Sequence, residues 1–219
     1  MQALAGVEKC TVRDVKHLSY SSLLLFLLLS GCVSQVKLLQ VPDVRQATSY
    51  TCGVSGSQAV LSYYGMDFRE DRLAAEFGTT EAAGTSPEQI VAGLQAHGLT
   101  ATIKEYTTLE DLRANLQQGW PTMVAIQAWL ETDPPPDWSK NWEDGHWVIV
   151  IGMDDEKVYF EDPAILGSRG WLPQAEFLAR WHDYQGEPPC DDAQDALLEQ
   201  LSITVKGKFI ENAAYTHID

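Results

Sequence analysis

The 219-residue chain carries 15 Lys and Arg against 31 Asp and Glu, a formal net charge of -16, with 45% hydrophobic and 21% charged residues. That composition describes a globular protein rather than a disordered or fibrous one, and the length suits one domain with a real core. So acidic a chain argues against nucleic acid as a partner, because phosphate binding needs clustered Lys and Arg, and against docking on anionic lipid by charge.

At the N-terminus, Lys9, Arg13 and Lys16 precede an apolar run from Leu18 to Leu29. The run is too short to span a bilayer and has the length of a signal-peptide core. It ends in Leu29-Ser30-Gly31-Cys32, which resembles a bacterial lipobox. That resemblance implies lipid on the Cys32 thiol and cleavage just before it. The expected organisation is a lipoprotein signal peptide over 1–31, the lipidated Cys and a tether over 32–39, and one domain over 40–219. An ordinary signal peptide with an incidental Cys is the plainer alternative. Val33 follows Cys32, so no acidic inner-membrane retention signal is evident. The expected location is the bacterial cell envelope, lipid-anchored and facing the periplasm, at the outer rather than the inner membrane.

Next comes a short strand, Lys37 to Val41, stopped by Pro42. Cys52 to Tyr64 reads as a helix that is small or apolar nearly all round, hence buried, with Gly65 ending it. A second helix runs from Arg69 to Phe77 and stops at Gly78. Ser86-Pro87-Glu88-Gln89 opens a third, with Ser86 and Gln89 forming a capping box. Thr100 to Tyr106 alternates as a strand. Thr107 and Glu110 form another capping box for a helix reaching Gln118. Pro121 to Trp129 is a strand, and Leu130 to Gly145 is a loop holding Pro134-Pro135-Pro136, Trp138 and Trp142. His146 to Gly152 is almost wholly apolar after its first residue, as a buried central strand should be. Lys157 to Glu161 pairs with it. Pro173 to His182 is helical, an exposed acidic helix follows Cys190, and the last strand lies around Ile203 to Val205. Helices first and strands later predict an α+β fold.

Cys52 opens a buried helix, where free N–H groups and the helix dipole favour negative charge on sulfur. A nucleophilic thiol needs a base, and His146 is the best candidate. If the hairpin is centred near Asp154, His146 and Asp162 lie at equal distances from the turn and stand opposite one another. Asp162 then orients the ring. Gln46, six residues before Cys52, can present its side-chain amide to an oxyanion, with the Cys52 N–H as second donor.

These segments have a familiar pattern. Gln46-Ala47-Thr48-Ser49-Tyr50-Thr51-Cys52-Gly53, followed by Ala59 to Gly65, resembles the papain-like peptidases of cysteine peptidase family thirty-nine, which include domains that trim double-glycine leaders from bacteriocins. Asp144 to Gly152 and Tyr159-Phe160-Glu161-Asp162-Pro163 resemble that family's His and Asp blocks, over about residues 40–183. The resemblance implies a helical half carrying the Cys, packed on an antiparallel sheet carrying His and Asp. It implies Gln46 as oxyanion donor, Cys52 as nucleophile, His146 as base and Asp162 as its orienter. Val54-Ser55 departs from the family's Pro and small residue after Cys-Gly. With no transporter expected alongside, the leader substrate is not carried over.

The expected activity is therefore a cysteine peptidase acting by a Cys-His-Asp mechanism, with glycine-rich sites as candidate targets, a peptide or protein as substrate, no cofactor and a monomeric state. A peptidoglycan-peptide hydrolase or transpeptidase, and a non-catalytic peptide-binding lipoprotein, are the alternatives. Trp142, Trp147 and Asp144 are candidate substrate contacts, and Asp144 is also placed to raise the pKa of His146. The plain readings are a Cys52–Cys190 disulfide, a satisfied core histidine at 146 and a turn aspartate at 162. The aromatic loop is equally a lid or mere packing. His97 and His182 read as structural, and no Cys/His grouping has zinc spacing.

Overall fold

In the computed structural model, which describes residues 36–186, 190 and 196–211, the helical half comes first. Helix α1 is Cys52–Tyr63, α2 Glu70–Phe77 and α3 Pro87–Ala96. Gly65 and Gly78, with φ of 87° and 71°, take the left-handed turns that release the chain from α1 and α2. The capping box of Ser86 and Gln89 forms as expected, with Pro87 in the first turn. The next box falls one residue later than expected. Thr108 and Asp111 cap helix α4, Leu109–Gln117. Thr107 is buried and bonded to Ser202, which leaves Thr108 at the cap.

The strands are β1 (Thr100–Lys104), β2 (Thr122–Gln127), β3 (Gly145–Met153), β4 (Lys157–Glu161), β5 (Gly170–Pro173) and β8 (Ser202–Lys206). They form one antiparallel sheet in the order β1-β8-β2-β3-β4-β5. A separate ribbon pairs β6 (His182–Gln185) with β7 (Ala196–Glu199). The expected helix from Pro173 to His182 is shorter, α5, Gln174–Arg180. Its ends are strand: Pro173 closes β5 and His182 opens β6. The fold is α+β, with a mostly antiparallel sheet.

Alternation along β2 and β3 divides the interior in two. Met123, Ala125, Trp147, Ile149 and Ile151 pack with the α1–α3 side, where Val54, Leu61, Leu73, Ile90 and Leu94 are buried. Val124, Ile126, Val148 and Val150 pack with Leu112, Phe177 and Trp181 from α4, α5 and the turn after it. A sheet covered on both faces explains the nearly continuous apolar run of β3. Two glycines let α1 lie close on this sheet. A Cβ at Gly56 would meet Met123 and Ile149 side chains at 3.1 and 3.3 Å, and one at Gly53 would meet Thr85, Trp147 and Ile90 at 3.0–3.2 Å.

The segment from Lys37 to Val41 is extended but is not a strand. It is held by the Leu39 N–H, which donates to the Ile151 carbonyl at 2.7 Å. That carbonyl sits where the β3–β4 register shifts, between Val150 and Gly152. Such a bulge frees a backbone group from its regular partner. Leu38 packs where a Cβ on Gly152 would otherwise stand, 2.3 Å from it. The expected signal peptide and Cys32 lie outside the described residues, as does most of the acidic segment after Cys190. Among the described residues no helix is long and apolar enough to cross a membrane.

Candidate active site

Cys52 is the first residue of α1 and is 8% exposed. The first bond of the helix runs from the Ser55 N–H to the Thr51 carbonyl, at 2.8 Å. The N–H groups of Cys52, Gly53 and Val54 therefore precede the ladder and point out of the helix start, where anionic charge is favoured. A compact loop delivers this start: Thr48 and Thr51 bond one another through side chain and backbone at 3.1–3.2 Å. Cys52 is an unbridged thiol, so the disulfide with Cys190 is not realised.

His146 lies near the start of β3 and is 6% exposed. Its Nε2 is bonded to Asp162 Oδ1 at 2.7 Å. The same oxygen accepts the Ala164 N–H at 2.8 Å, a turn bond that fixes the carboxylate. Strand pairing does not place the two residues directly opposite. Ile149 faces Glu161 and Val150 faces Phe160, so continuing the register puts Val148, not His146, across from Asp162. The offset is two residues. An even offset keeps both side chains on one side of the sheet, whereas an odd one would part them. Diagonal neighbours are within reach of long side chains.

With Nε2 turned to Asp162, Nδ1 is the nitrogen left for sulfur. Burial of the ring opposes its protonation. The bond to Asp162 and the nearness of Cys52 outweigh burial, and the His146 pKa is pushed up to about 9. Asp144 does not contribute to that shift. Its carboxylate instead accepts from Asn141 Nδ2 at 2.7 Å, and its N–H donates to Gln127 Oε1 at 2.8 Å.

Cys52 lines a cleft of about 520 Å³, with Tyr50, Trp142, Trp147, Asp183 and Tyr184 among its walls. Trp142 packs against His182, their ring centres 4.3 Å apart and their planes tilted by 51°. Asp144 lines a neighbouring hollow instead. Trp138 is covered by Arg180, whose guanidinium lies 3.6 Å from the ring centre. Part of the aromatic loop therefore forms the cleft wall and part is packing. Behind Asp162 a second hollow of about 480 Å³, lined by Ile126, Val148, Phe160 and Trp171, opens on the other side.

Gln46 is anchored by its N–H, which donates to the Pro163 carbonyl at 3.0 Å. The residue next to Asp162 thus holds the candidate oxyanion donor. Its Nε2 donates to the Thr48 carbonyl at 2.8 Å, and its buried Oε1 has no partner among the described residues.

Three polar residues escaped the sequence reading. Glu161, wholly buried, accepts the Val44 N–H at 2.9 Å and pairs with Arg169. Arg169 also donates to the Val41 carbonyl at 2.6 Å. Together they clamp the extended segment leading to Gln46 against the loop carrying Asp162. Only the Asp162 half of the Glu161-Asp162 dipeptide suggested chemistry, because the partners of Glu161 lie far off in sequence. The third is Asp183, which begins no recognisable motif.

Comparison with known proteins gives the family and the fold. Residues 38–188 match the Peptidase_C39 like family. Uncharacterised proteins of Methanothermobacter marburgensis and Methanothermobacter thermautotrophicus are 28% and 29% identical over 126 residues, covering 56% of this chain and 71% of each relative. Among solved structures, a C39-like peptidase from Bacillus anthracis superposes with a TM-score of 0.56 at 17% identity, covering 80% of this chain and 100% of that one. The double glycine motif protease of an AMS/PCAT transporter, solved with its leader peptide, gives 0.50 at 16% identity, covering 77% and 92%. The peptidase domain of Streptococcus ComA, a bifunctional ABC transporter, gives 0.50 at 15%, covering 74% and 95%. At these identities the likeness is one of fold.

Proposed function

The chain belongs to the Peptidase_C39 like family, and on that footing we propose that it is a cysteine peptidase whose nucleophile is Cys52, base His146 and orienting carboxylate Asp162. The observation that carries the reading is the His146 ring, bonded to Asp162 at 2.7 Å and raised to about 9 by Asp162 and Cys52 together, beside a thiol that lines an open cleft.

Each group has one task. The Cys52 sulfur attacks a peptide carbonyl carbon, and the carbonyl electron pair moves to oxygen. The unladdered Cys52 N–H and the second amide hydrogen of Gln46 hold that oxyanion. His146, protonated while its partner is a thiolate, gives its proton to the departing amine as the C–N bond breaks. Water, deprotonated by His146, then cleaves the thioester and returns the sulfur. Asp162 keeps the ring turned and offsets the imidazolium charge. On this reading the enzyme works at the cell envelope, tethered by lipid on Cys32; Cys32→Ala then moves it from the membrane to the soluble fraction.

The deciding experiment pairs hydrolysis with labelling. Glycine-containing peptides, including muropeptides, are incubated with the protein and with Cys52→Ala, and the thiol is titrated with an iodoacetamide probe at pH 6. Cleavage that vanishes in the variant, with Cys52 labelled faster than free cysteine, supports the reading. Cleavage that persists without the sulfur, or labelling no faster than free cysteine, overturns it.

A further inference from the structure

One carboxylate beside the nucleophile has no task in that chemistry. Asp183, on β6, lines the same cleft as Cys52. Its Oδ1 accepts from the Tyr184 N–H at 2.9 Å and from Gln127 Nε2 at 3.5 Å. Among the described residues no donor reaches its Oδ2. That oxygen lies over Gly145, 2.6 Å from where a Cβ would stand, so the lack of a side chain at 145 makes room for it. The residue keeps some exposure to the cleft, but its carboxyl is set deep among protein atoms. Burial raises its pKa to about 7, against the pull of the Tyr184 N–H, Gln127 and His146. A half-buried carboxylate with one oxygen turned to the cleft and no protein donor on it is costly to keep charged without a partner, and such groups concentrate at functional sites.

The rest of the cleft has the same sign. Glu81, Glu88 and Glu143 also line it, with no Lys or Arg among the described lining residues, while Tyr50, Trp142, Trp147 and Tyr184 bring aromatic rings to its walls. A carboxylate with aromatic flanks suits an organic cation, which gains a charge-assisted hydrogen bond and ring-face attraction together. A group with no donor hydrogen would leave Oδ2 unpaired, a neutral donor would pair it without offsetting its charge, and an anion would be repelled.

We infer that the cleft selects peptides bearing a cationic nitrogen, bound by Asp183 Oδ2 next to Cys52. The inference rests on the peptidase reading in taking the ligand to be a peptide. The cation can be a Lys side chain or a free N-terminal amine, so the test carries both arms.

Hexapeptide libraries are prepared with Lys or norleucine at one fixed position, each with a free or an acetylated N-terminus. Initial cleavage is read by mass spectrometry for the wild type and Asp183→Asn. Binding of the same libraries is read with Cys52→Ala and with the double variant C52A/D183N, where turnover plays no part. One cationic arm should be favoured over its neutral counterpart about tenfold or more in the wild type. Asn at 183 should bring that ratio close to one. A ratio near one in the wild type, or a preference unchanged in Asp183→Asn, overturns the inference. If nothing is cleaved, the peptidase reading fails, and the binding arms decide: a cation preference lost in the double variant sustains the role of Asp183, and no preference ends it.

Discussion

His146 is bonded to Asp162 through Nε2, at 2.7 Å, although their strands place them two residues out of direct opposition. The bond therefore depends on the Ala164 turn that fixes the carboxylate as well as on the sheet. Asp162 is one of the groups that lift His146 to about 9 against its own burial. Below that value the ring carries the proton that a leaving amine needs, so activity should persist to about pH 9 and fall above it. Asp162→Asn removes the carboxylate charge while burial still opposes protonation. The alkaline limb of the kcat/KM profile should then move to lower pH, and the rate at neutral pH should fall on the order of 10²–10⁴-fold. An unmoved alkaline limb would show that Asp162 does not govern the ring.

The buried Glu161 is held by Arg169 from one side and by the Val44 N–H from the other. Removing one member of such a pair leaves an uncompensated charge. Arg169→Met should destabilise the protein by roughly 3 kcal/mol in urea unfolding, at the lower end of the range because the arginine side chain is 30% exposed. The double variant E161Q/R169M keeps an acceptor for the Val44 N–H and no stranded charge. It should recover most of the loss. If it is no more stable than the single variant, the damage comes from lost packing instead.

Gly53, immediately after Cys52, sits against the Thr85, Trp147 and Ile90 side chains, 3.0–3.2 Å from the position a Cβ would take. Those three residues belong to the loop before α3, to β3 and to α3, so there is little freedom to give way. Gly53→Ala should cost about 1–3 kcal/mol by overpacking. It should also tilt the start of α1 and slow iodoacetamide labelling of Cys52. A variant as stable as the wild type would show that the contact relaxes easily.

The sequence made the segments around Cys52 and His146 readable because their signals are local. The Ser86–Gln89 capping box, the glycine stops after α1 and α2 and the apolar run of β3 each depend on a few neighbouring residues. The hairpin register was less secure, since a turn after Met153 and a bulge at Ile151 move the pairing by two residues. Symmetry about Asp154 paired the correct residues for an incomplete reason. The ribbon of β6 and β7 was missed altogether. His182 to Gln185 is polar and only four residues long, and its partner lies beyond an acidic stretch whose composition suggests helix or loop. Asp183 went unseen with it, because what makes that carboxylate unusual is supplied by Gly145 and Gln127 from other strands.

Asp183 also sets a stability experiment that does not depend on any substrate. Its pKa is raised, chiefly by burial, from the ordinary 3.8 to about 7. The native state thus holds this proton more tightly than the unfolded chain does. The stability that goes with it is complete below about pH 4, declines as pH rises between the two values, and is gone once pH has passed about 7. Asn at 183 has no proton to lose and keeps an oxygen for the Tyr184 N–H. The groups facing the carboxyl are Gln127 on β2, His146 on β3 and Tyr184 beside it. Of these only His146, with its pKa raised to about 9, titrates close to this range, and it is present in both proteins, so its own contribution largely cancels in the difference. Asp183→Asn should match the wild type near pH 4 and gain steadily above it, with Tm higher by about 3 °C or more at pH 8. A Tm difference that does not change from pH 4 to pH 8 would mean that the carboxyl is not under strain as an anion. It would also remove the energetic reason for a cation to seek it.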